Sequence, residues 1–464
     1  MYLKKFNLTI IISVILCSKC FSQSNNKIGL KQAIDSAMKN YPALKSKQFE
    51  VESANANVRD AKHQSLPSLK VSDQLDAGTA NGLGGSYFPM GIIPSTSGGI
   101  SAENNTNTFS GNIGVAYMEH ELYNFGLNGA RIASAKSLAG SSKADYDATS
   151  YSLQFQIAQL YFELLKYRLL TNTQQKNIER YNVLYNYIKA YTGSGIKAGV
   201  DSSVANAEVS KAKIQYLQTL EIYDKLKSQF LFYTGMKNIN FEIDTSIYHL
   251  PDAKINQLKA TVSVDSISSS NPVLAYYNSK WEYALSQEKL IKKSYLPKLY
   301  LIGSAWMRGS SITPANVYGD LSSGLNYSRY NYMAGLAFTY NLVDIVHQKD
   351  KADTYYFHAE AVHEEMQQQK SLLENQLQQA DIAIQAALNK EKEIPIQLRA
   401  AQNAFLQKSA QYNAGLANIA ELTDASYLLY RAETDAVETQ SDLLNTFLQK
   451  AVTNNTLNTF LSNF

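Results

Sequence analysis

The chain has 464 residues, 45% apolar and 18% charged, with 43 Lys and Arg against 40 Asp and Glu. That length supports two or three ordinary domains and excludes a disordered or disulfide-stapled chain. The formal charge of +3 excludes the basic surplus of a nucleic-acid binder, and the absence of any run of 18 apolar residues excludes a helical membrane span.

At the start of the chain, Lys4 and Lys5 precede a short apolar stretch from Phe6 to Cys17, and Ser22 suits the last position before a cleavage site. Residues 1–22 therefore read as a secretory signal peptide. Lys19 before Cys20 and Leu16 before Cys17 argue against lipidation, which needs a small residue there. Cleavage removes Lys4, Lys5, Lys19 and no acid, so the mature charges balance; it also removes both cysteines of the chain. Disulfides, thiol catalysis and cysteine-held metals are thereby excluded from the mature protein.

The remainder repeats itself once. Pro42 and Pro67 are 25 residues apart, as are Pro272 and Pro297, and their contexts match at an offset of 230 (Leu66-Pro67-Ser68-Leu69 against Leu296-Pro297-Lys298-Leu299). Further on the offset settles at 220: Leu122-Tyr123-Asn124 pairs with Leu342-Val343-Asp344, and Gly195, Asp201 and Ala205 pair with Gly415, Glu421 and Ala425. This divides the chain into a first repeat over 23–234, a linker without clear periodicity over 235–268, a second repeat over 269–452 and a tail over 453–464.

Each repeat carries the same order of signals. A helix is predicted from about Leu30 to Gln64, and from about Asn271 to Tyr295, each ended by proline. Period-two alternation follows, predicting β-hairpins at about 69–122 and 299–342. In the first, Phe109, Gly111, Ile113, Val115 and Tyr117 form the apolar row; in the second, Tyr330, Tyr332, Ala334, Leu336, Phe338 and Tyr340 do so. Residues 76–108, with Pro89 and Pro94, and 308–328 read as exposed, mobile loops.

A long helix follows each hairpin, over 127–190 and 345–413. The first would run roughly 95 Å at ~1.5 Å per residue. Its apolar positions step 4-3-4-3 through Leu153, Ile157, Leu160, Leu164 and Tyr167, and Ile178, Tyr181, Tyr185 and Ile188 continue in phase. That is a heptad seam for side-by-side packing. Pro395 is expected to kink the second copy. Glycines then turn the chain (Gly193, Gly195 and Gly199; Gly415) into returning helices, Ser203 to about Phe232 and Leu422 to about Val452.

Four short strands cannot close a sheet, and open edges in lipid leave backbone groups unpaired at several kcal/mol each. Strands that span a membrane here must therefore share a barrel with other protomers. A soluble β-domain with tyrosine-rich faces is the competing reading.

The chain resembles the outer membrane efflux proteins, the TolC-like channels. The resemblance is carried by Leu30-x-x-Ala33-Ile34-x-x-Ala37 with Asn40-Tyr41-Pro42, the Leu-Pro-x-Leu before each hairpin, the Asn124 or Asp344 motif after it, and the two Gly-x5-acid-x3-Ala tips. It implies an α+β membrane protein: a homotrimer in which four strands per protomer complete a transmembrane β-barrel and the helices form a coiled-coil barrel crossing the periplasm. It also implies a periplasmic adaptor and an inner-membrane transporter as partners, outer-membrane lipid around the barrel, no cofactor and no enzymatic step.

The resemblance further places a pore gate at Glu421 and Asp424, whose i, i+3 spacing puts both on one helical face. Three copies would make a carboxylate ring that repels itself and attracts cations. The alternative role is favourable interaction with the helix dipole. Asp201 and Tyr412 match one polar lock between helices, while Ala417 replaces an arginine that a well-known member uses for a charged lock. Gly195 and Gly415 match the adaptor-docking tips; as residues they permit a helix-ending turn.

Gly193-x-Gly195-x-x-x-Gly199 follows a helix and lacks Gly-Lys-Ser/Thr, unlike a phosphate loop. His358 and His363 share no helical face, and Glu119, His120 and Glu121 diverge as neighbours, so no metal site is expected. The function expected is a passive exit duct of a tripartite efflux or type I secretion system in the outer membrane of a Gram-negative cell; the alternative is a periplasmic coiled-coil scaffold without a pore.

Overall fold

The computed structural model describes residues 27–84, 99–195, 198–237, 241–248, 251–263, 268 and 270–464. The signal peptide expected over 1–22, and Pro89 and Pro94 of the first loop, lie outside the described residues. In chain order, the short strand β1 (Lys27–Ile28) leads to α1 (Leu30–Asn40), α2 (Pro42–His63), β2 (Ser68–Gly78), β3 (Phe109–Tyr123), α3 (Leu127–Gly193) and α4 (Gly199–Thr234). Next come β4 (Glu242–Ile243), a 3-10 turn (Thr245–Tyr248) and α5 (Asp252–Thr261). The second repeat supplies α6 (Pro272–Ser294), β5 (Lys298–Ser310), β6 (Arg329–Thr339), α7 (Asp344–Asn413) and α8 (Ile419–Thr453), before a final α9 (Leu457–Leu461). The repeats are matched in size: α3 and α7 have 67 and 70 residues, α4 and α8 have 36 and 35.

The predicted first helix is broken in two. Tyr41 takes an extended ψ of 118°, since the residue before a proline is pushed out of the α region, and Pro42 opens α2 where its missing N–H is not needed. By contrast, α7 continues as one helix through Pro395. The described parts of the 235–268 segment carry regular elements that their pattern did not suggest. Ile243 of β4 pairs in parallel with Ile28 of β1, and Leu258 of α5 is fully buried. In the tail, Leu457 and Phe460 of α9 are buried too.

Two compact units result. One comprises Met1–Val51, Ser142–Ser279 and Glu364–Phe464; the other comprises Glu52–Ser141 and Lys280–His363. The first is helical. Leu30, Ala33, Ile34 and Ala37, spaced i, i+3, i+4, i+7, bury one face of α1. They join a core with Ile157, Tyr161 and Leu164 of α3, Phe230 of α4, and Leu443, Leu444 and Phe447 of α8. Along α3 the heptad seam is buried at Leu153, Ile157, Leu160, Leu164, Ile178, Tyr181 and Ile188. Two polar seam positions are buried as well: Thr171 Oγ1 donates to the Tyr167 carbonyl, and Gln174 Nε2 donates to Tyr430 Oη on α8.

The other unit holds an antiparallel sheet in the order β2-β3-β5-β6, with β2 and β6 as free edges. Directly paired residues share a face. One face thus collects Leu69, Val71 and Leu75 of β2, Met118 of β3, Leu301 and Met307 of β5, and Tyr330, Tyr332, Leu336 and Phe338 of β6. Its edge-strand members are 63–88% exposed. The other face carries Lys70, Gln74, Glu119, Ser304, Arg308, Arg329 and Asn331.

The row Phe109 to Tyr117 of β3, expected on the apolar side, lies on this second face opposite Lys70, Gln74 and Arg308. Small Gly114 and Ala116 occupy the apolar side instead, so the alternation of β3 alone points the wrong way. The second hairpin's loop folds onto the sheet. Asn112 Nδ2 donates to the Leu325 carbonyl at 3.0 Å, Ser110 Oγ donates to the Leu321 carbonyl, and Tyr327 Oη donates to Asp73 at 2.7 Å.

Candidate functional site

All six residues singled out from the sequence lie at the two helical hairpin tips of the helical unit. Each tip turns on a left-handed glycine, Gly195 at φ +76° and Gly415 at φ +77°. A Cβ at either would meet open space, so backbone conformation alone demands glycine there. At the second tip the Gly415 N–H bonds the Tyr412 carbonyl at 3.1 Å, and the Leu416 N–H bonds the Gln411 carbonyl at 2.8 Å. These two bonds close the end of α7 as a Schellman motif. The first tip shows the corresponding bond from Gly195 to Thr192 at 3.2 Å.

The tips are joined by an apolar cluster of Ile188 on α3, Ala205 on α4, Tyr412 on α7, and Ala417, Ile419 and Leu422. Tyr412 is 1% exposed and its ring lies 6.5 Å from that of Tyr187. Burial and then the nearby Asp201 carboxylate push its phenol up to about 12, so it stays neutral. The structure thus brings Asp201 and Tyr412 within electrostatic reach across α4 and α7. Ala417, where a charged lock was absent from the sequence, is buried in the same cluster.

The two acids of the expected gate sit in different surroundings. Asn418 caps α8, its side chain accepting from the Glu421 N–H at 2.9 Å. The Glu421 carboxylate accepts from Lys408 Nζ of α7 at 2.6 Å. That ion pair, and then a hydrogen bond from the Asn418 backbone N–H, hold Glu421 below the usual carboxylate range. Asp424 is exposed, and its charge acts on Tyr181 of α3, whose phenol is raised chiefly by burial. Within a protomer, then, the Glu421 carboxylate is ion-paired, while Asp424 has no ion pair among the described residues.

Sequence spacing did not reveal the strongest cross-link near the tips. Arg180 of α3 grips Glu433 of α8 through Nη2 and Nη1, at 2.6 and 3.3 Å, and lies 5.9 Å from the Phe405 ring. Arg180, Tyr187, Phe405, Ser409 and Leu422 line a groove of about 500 Å³ between α3 and α7. Lys408 was also missed, since its partner lies 13 positions away across a turn. Among the described residues, no three His, Cys, Asp or Glu side chains converge as metal ligands.

Residues 33–225 match the family model described as outer membrane efflux protein. That match spans fewer than half of the chain's residues. The fold around it agrees with that assignment. The Campylobacter jejuni CmeC outer membrane channel superposes with a TM-score of 0.77 at 15% identity, over 92% of this chain and 86% of that one. For the Vibrio cholerae outer membrane protein VceC the values are 0.69, 16%, 92% and 95%, and for the open state of the Neisseria gonorrhoeae MtrE channel 0.67, 17%, 92% and 89%. By sequence, no curated protein matches. The matched stretch therefore sits in a chain whose fold is shared with these outer-membrane proteins over nearly its whole length.

Proposed function

We propose that the protein is the outer-membrane exit duct of a tripartite efflux or type I secretion system, a homotrimer working with a periplasmic adaptor and an inner-membrane transporter. One observation carries this reading: among the described residues the four-stranded sheet has two free edges, and the apolar side chains of its edge strands on one face are exposed. Strands of 11–15 residues are long enough to cross a bilayer when tilted. From Tyr330 to Phe338 the apolar face has aromatic residues at both ends, as a lipid-facing band does. Edge pairing between copies satisfies the backbone, and lipid covers the face. A scaffold without a pore leaves both features unexplained.

The helical unit supplies the walls of the periplasmic conduit, and its tips are the gate and docking end. Transport is passive and no bond is made or broken. Glu421 and Asp424 face the constriction, Asp201 and Tyr412 restrain the tips, and Gly195 and Gly415 shape the ends that meet the adaptor. The detergent-extracted protein should be trimeric and give discrete conductance steps in a planar bilayer. A stable monomer, or a trimer that conducts under no condition, refutes the assignment.

A further inference from the structure

Arg308 of β5 and Arg329 of β6 are directly paired across the sheet. Both lie on the face opposite Tyr330, Tyr332 and Leu336, and both are exposed. Like charges placed opposite one another on adjacent strands repel. Neither guanidinium has an acidic partner among the described residues. On the same face, Asp76 lies on β2, beyond the intervening β3, and its carboxylate accepts from Gln74 at 3.0 Å. Glu119 pairs with Ile302, six residues down β5 from Arg308, and Glu121 lies farther still. Asp73 belongs to the apolar face, where Tyr327 holds it. Lys70, the nearest other cation on this face of β2, adds to the positive field.

The arginine pair sits at the loop end of the strands, Arg308 two residues before the end of β5 and Arg329 at the start of β6. The helices join the sheet at the opposite strand ends. If the apolar face meets lipid, the arginine face lines the lumen and its loop end is the outer mouth. We infer that Arg308 and Arg329 form an anion-binding collar at that mouth, two guanidiniums per copy and six per trimer. It takes the oxyanion groups of solutes in transit: phosphate, sulfate or carboxylate. Paired guanidinium forks match such groups in geometry as well as charge, and an occupying anion relieves the cross-strand repulsion.

This inference rests on the duct reading, and the test separates the two. Purified trimer is placed in a planar bilayer of phosphatidylcholine, and its reversal potential is measured across a KCl gradient. Inorganic phosphate is then titrated from the loop side. Arg308→Gln with Arg329→Gln, checked for intact trimer, should move the reversal potential towards cation selectivity and weaken phosphate block several-fold. Arg308→Lys with Arg329→Lys should restore the reversal potential but not the block. Conducting trimers whose selectivity and block are unchanged by the glutamine pair overturn the collar and leave the duct standing. Silence of Arg329→Gln alone, together with increased anion selectivity in Asp76→Asn, would mean that Asp76 of the adjacent copy neutralises Arg329, and would also overturn it. A wild-type trimer that never conducts refutes the duct itself.

Discussion

At the first tip Ala198 occupies the N-cap and gives α4 no side-chain bond, whereas at the second Asn418 caps α8 and Lys408 binds Glu421 across the turn. The backbone is the same in both, a left-handed glycine three residues beyond a carbonyl that accepts its N–H. Duplication has thus preserved the turn while the polar stitching differs. The first tip depends on packing against the second, through Ile188 and Ala205. The second carries its own internal ties as well. Any movement that separates α7 from α8 must break an ion pair, while movement of the first tip must break an apolar contact centred on Tyr412.

Removing that centre should erase the distinction most completely. Tyr412→Ala is expected to cost about 3–5 kcal/mol, as other large aromatic truncations do, and to raise conductance by loosening both tips. Tyr412→Phe should cost far less, and a similar loss in both would assign the effect to the hydroxyl. Denaturant unfolding alongside single-channel recording measures this.

The tie from α3 to α8 ranks next. A double-mutant cycle on Arg180→Met and Glu433→Gln should return a coupling of about 1.5–3 kcal/mol, the range for charge-assisted bonds in partly buried sites. A coupling near zero would leave the tips joined by apolar contacts alone.

The smallest effect concerns Lys408 and Glu421. Because Glu421 is held below its ordinary value in the folded chain, its contribution is complete above the usual carboxylate range and is lost as pH falls through its lowered folded value. Acidification should therefore favour opening of the second tip. Lys408→Met should remove that acid-side response while leaving behaviour at neutral pH nearly unchanged, as conductance against pH will show. Both residues are about two-fifths exposed, so solvent screens the pair.

Much of this was legible in the sequence because it is local or periodic. The heptad positions from Leu153 to Ile188, the tip glycines and the duplicated Leu-Pro-x-Leu all act through neighbours a few residues away. What escaped notice depends on pairing across distance. The facing of β3 required its register with Lys70 and Arg308, since Gly114 and Ala116 are too small to declare a side. The Arg180–Glu433 grip joins residues 253 apart in the chain. The strand Glu242–Ile243 and the helix Asp252–Thr261 are placed by pairing with β1 and by packing of Ile243, Ile255 and Leu258 into the core around Tyr161, and no local pattern announces those contacts.

The free edges of β2 and β6 also bear on how the protein must be made. On the proposed duct reading, a lone chain on its way to the outer membrane exposes two templates for strand addition, beside a greasy surface, in an aqueous compartment. Its survival there is a matter of concentration and escort, and its measured stability cannot be separated from the abundance of its copies. On that reading insertion and trimer formation are one event in free energy, with no comfortable stopping point between them.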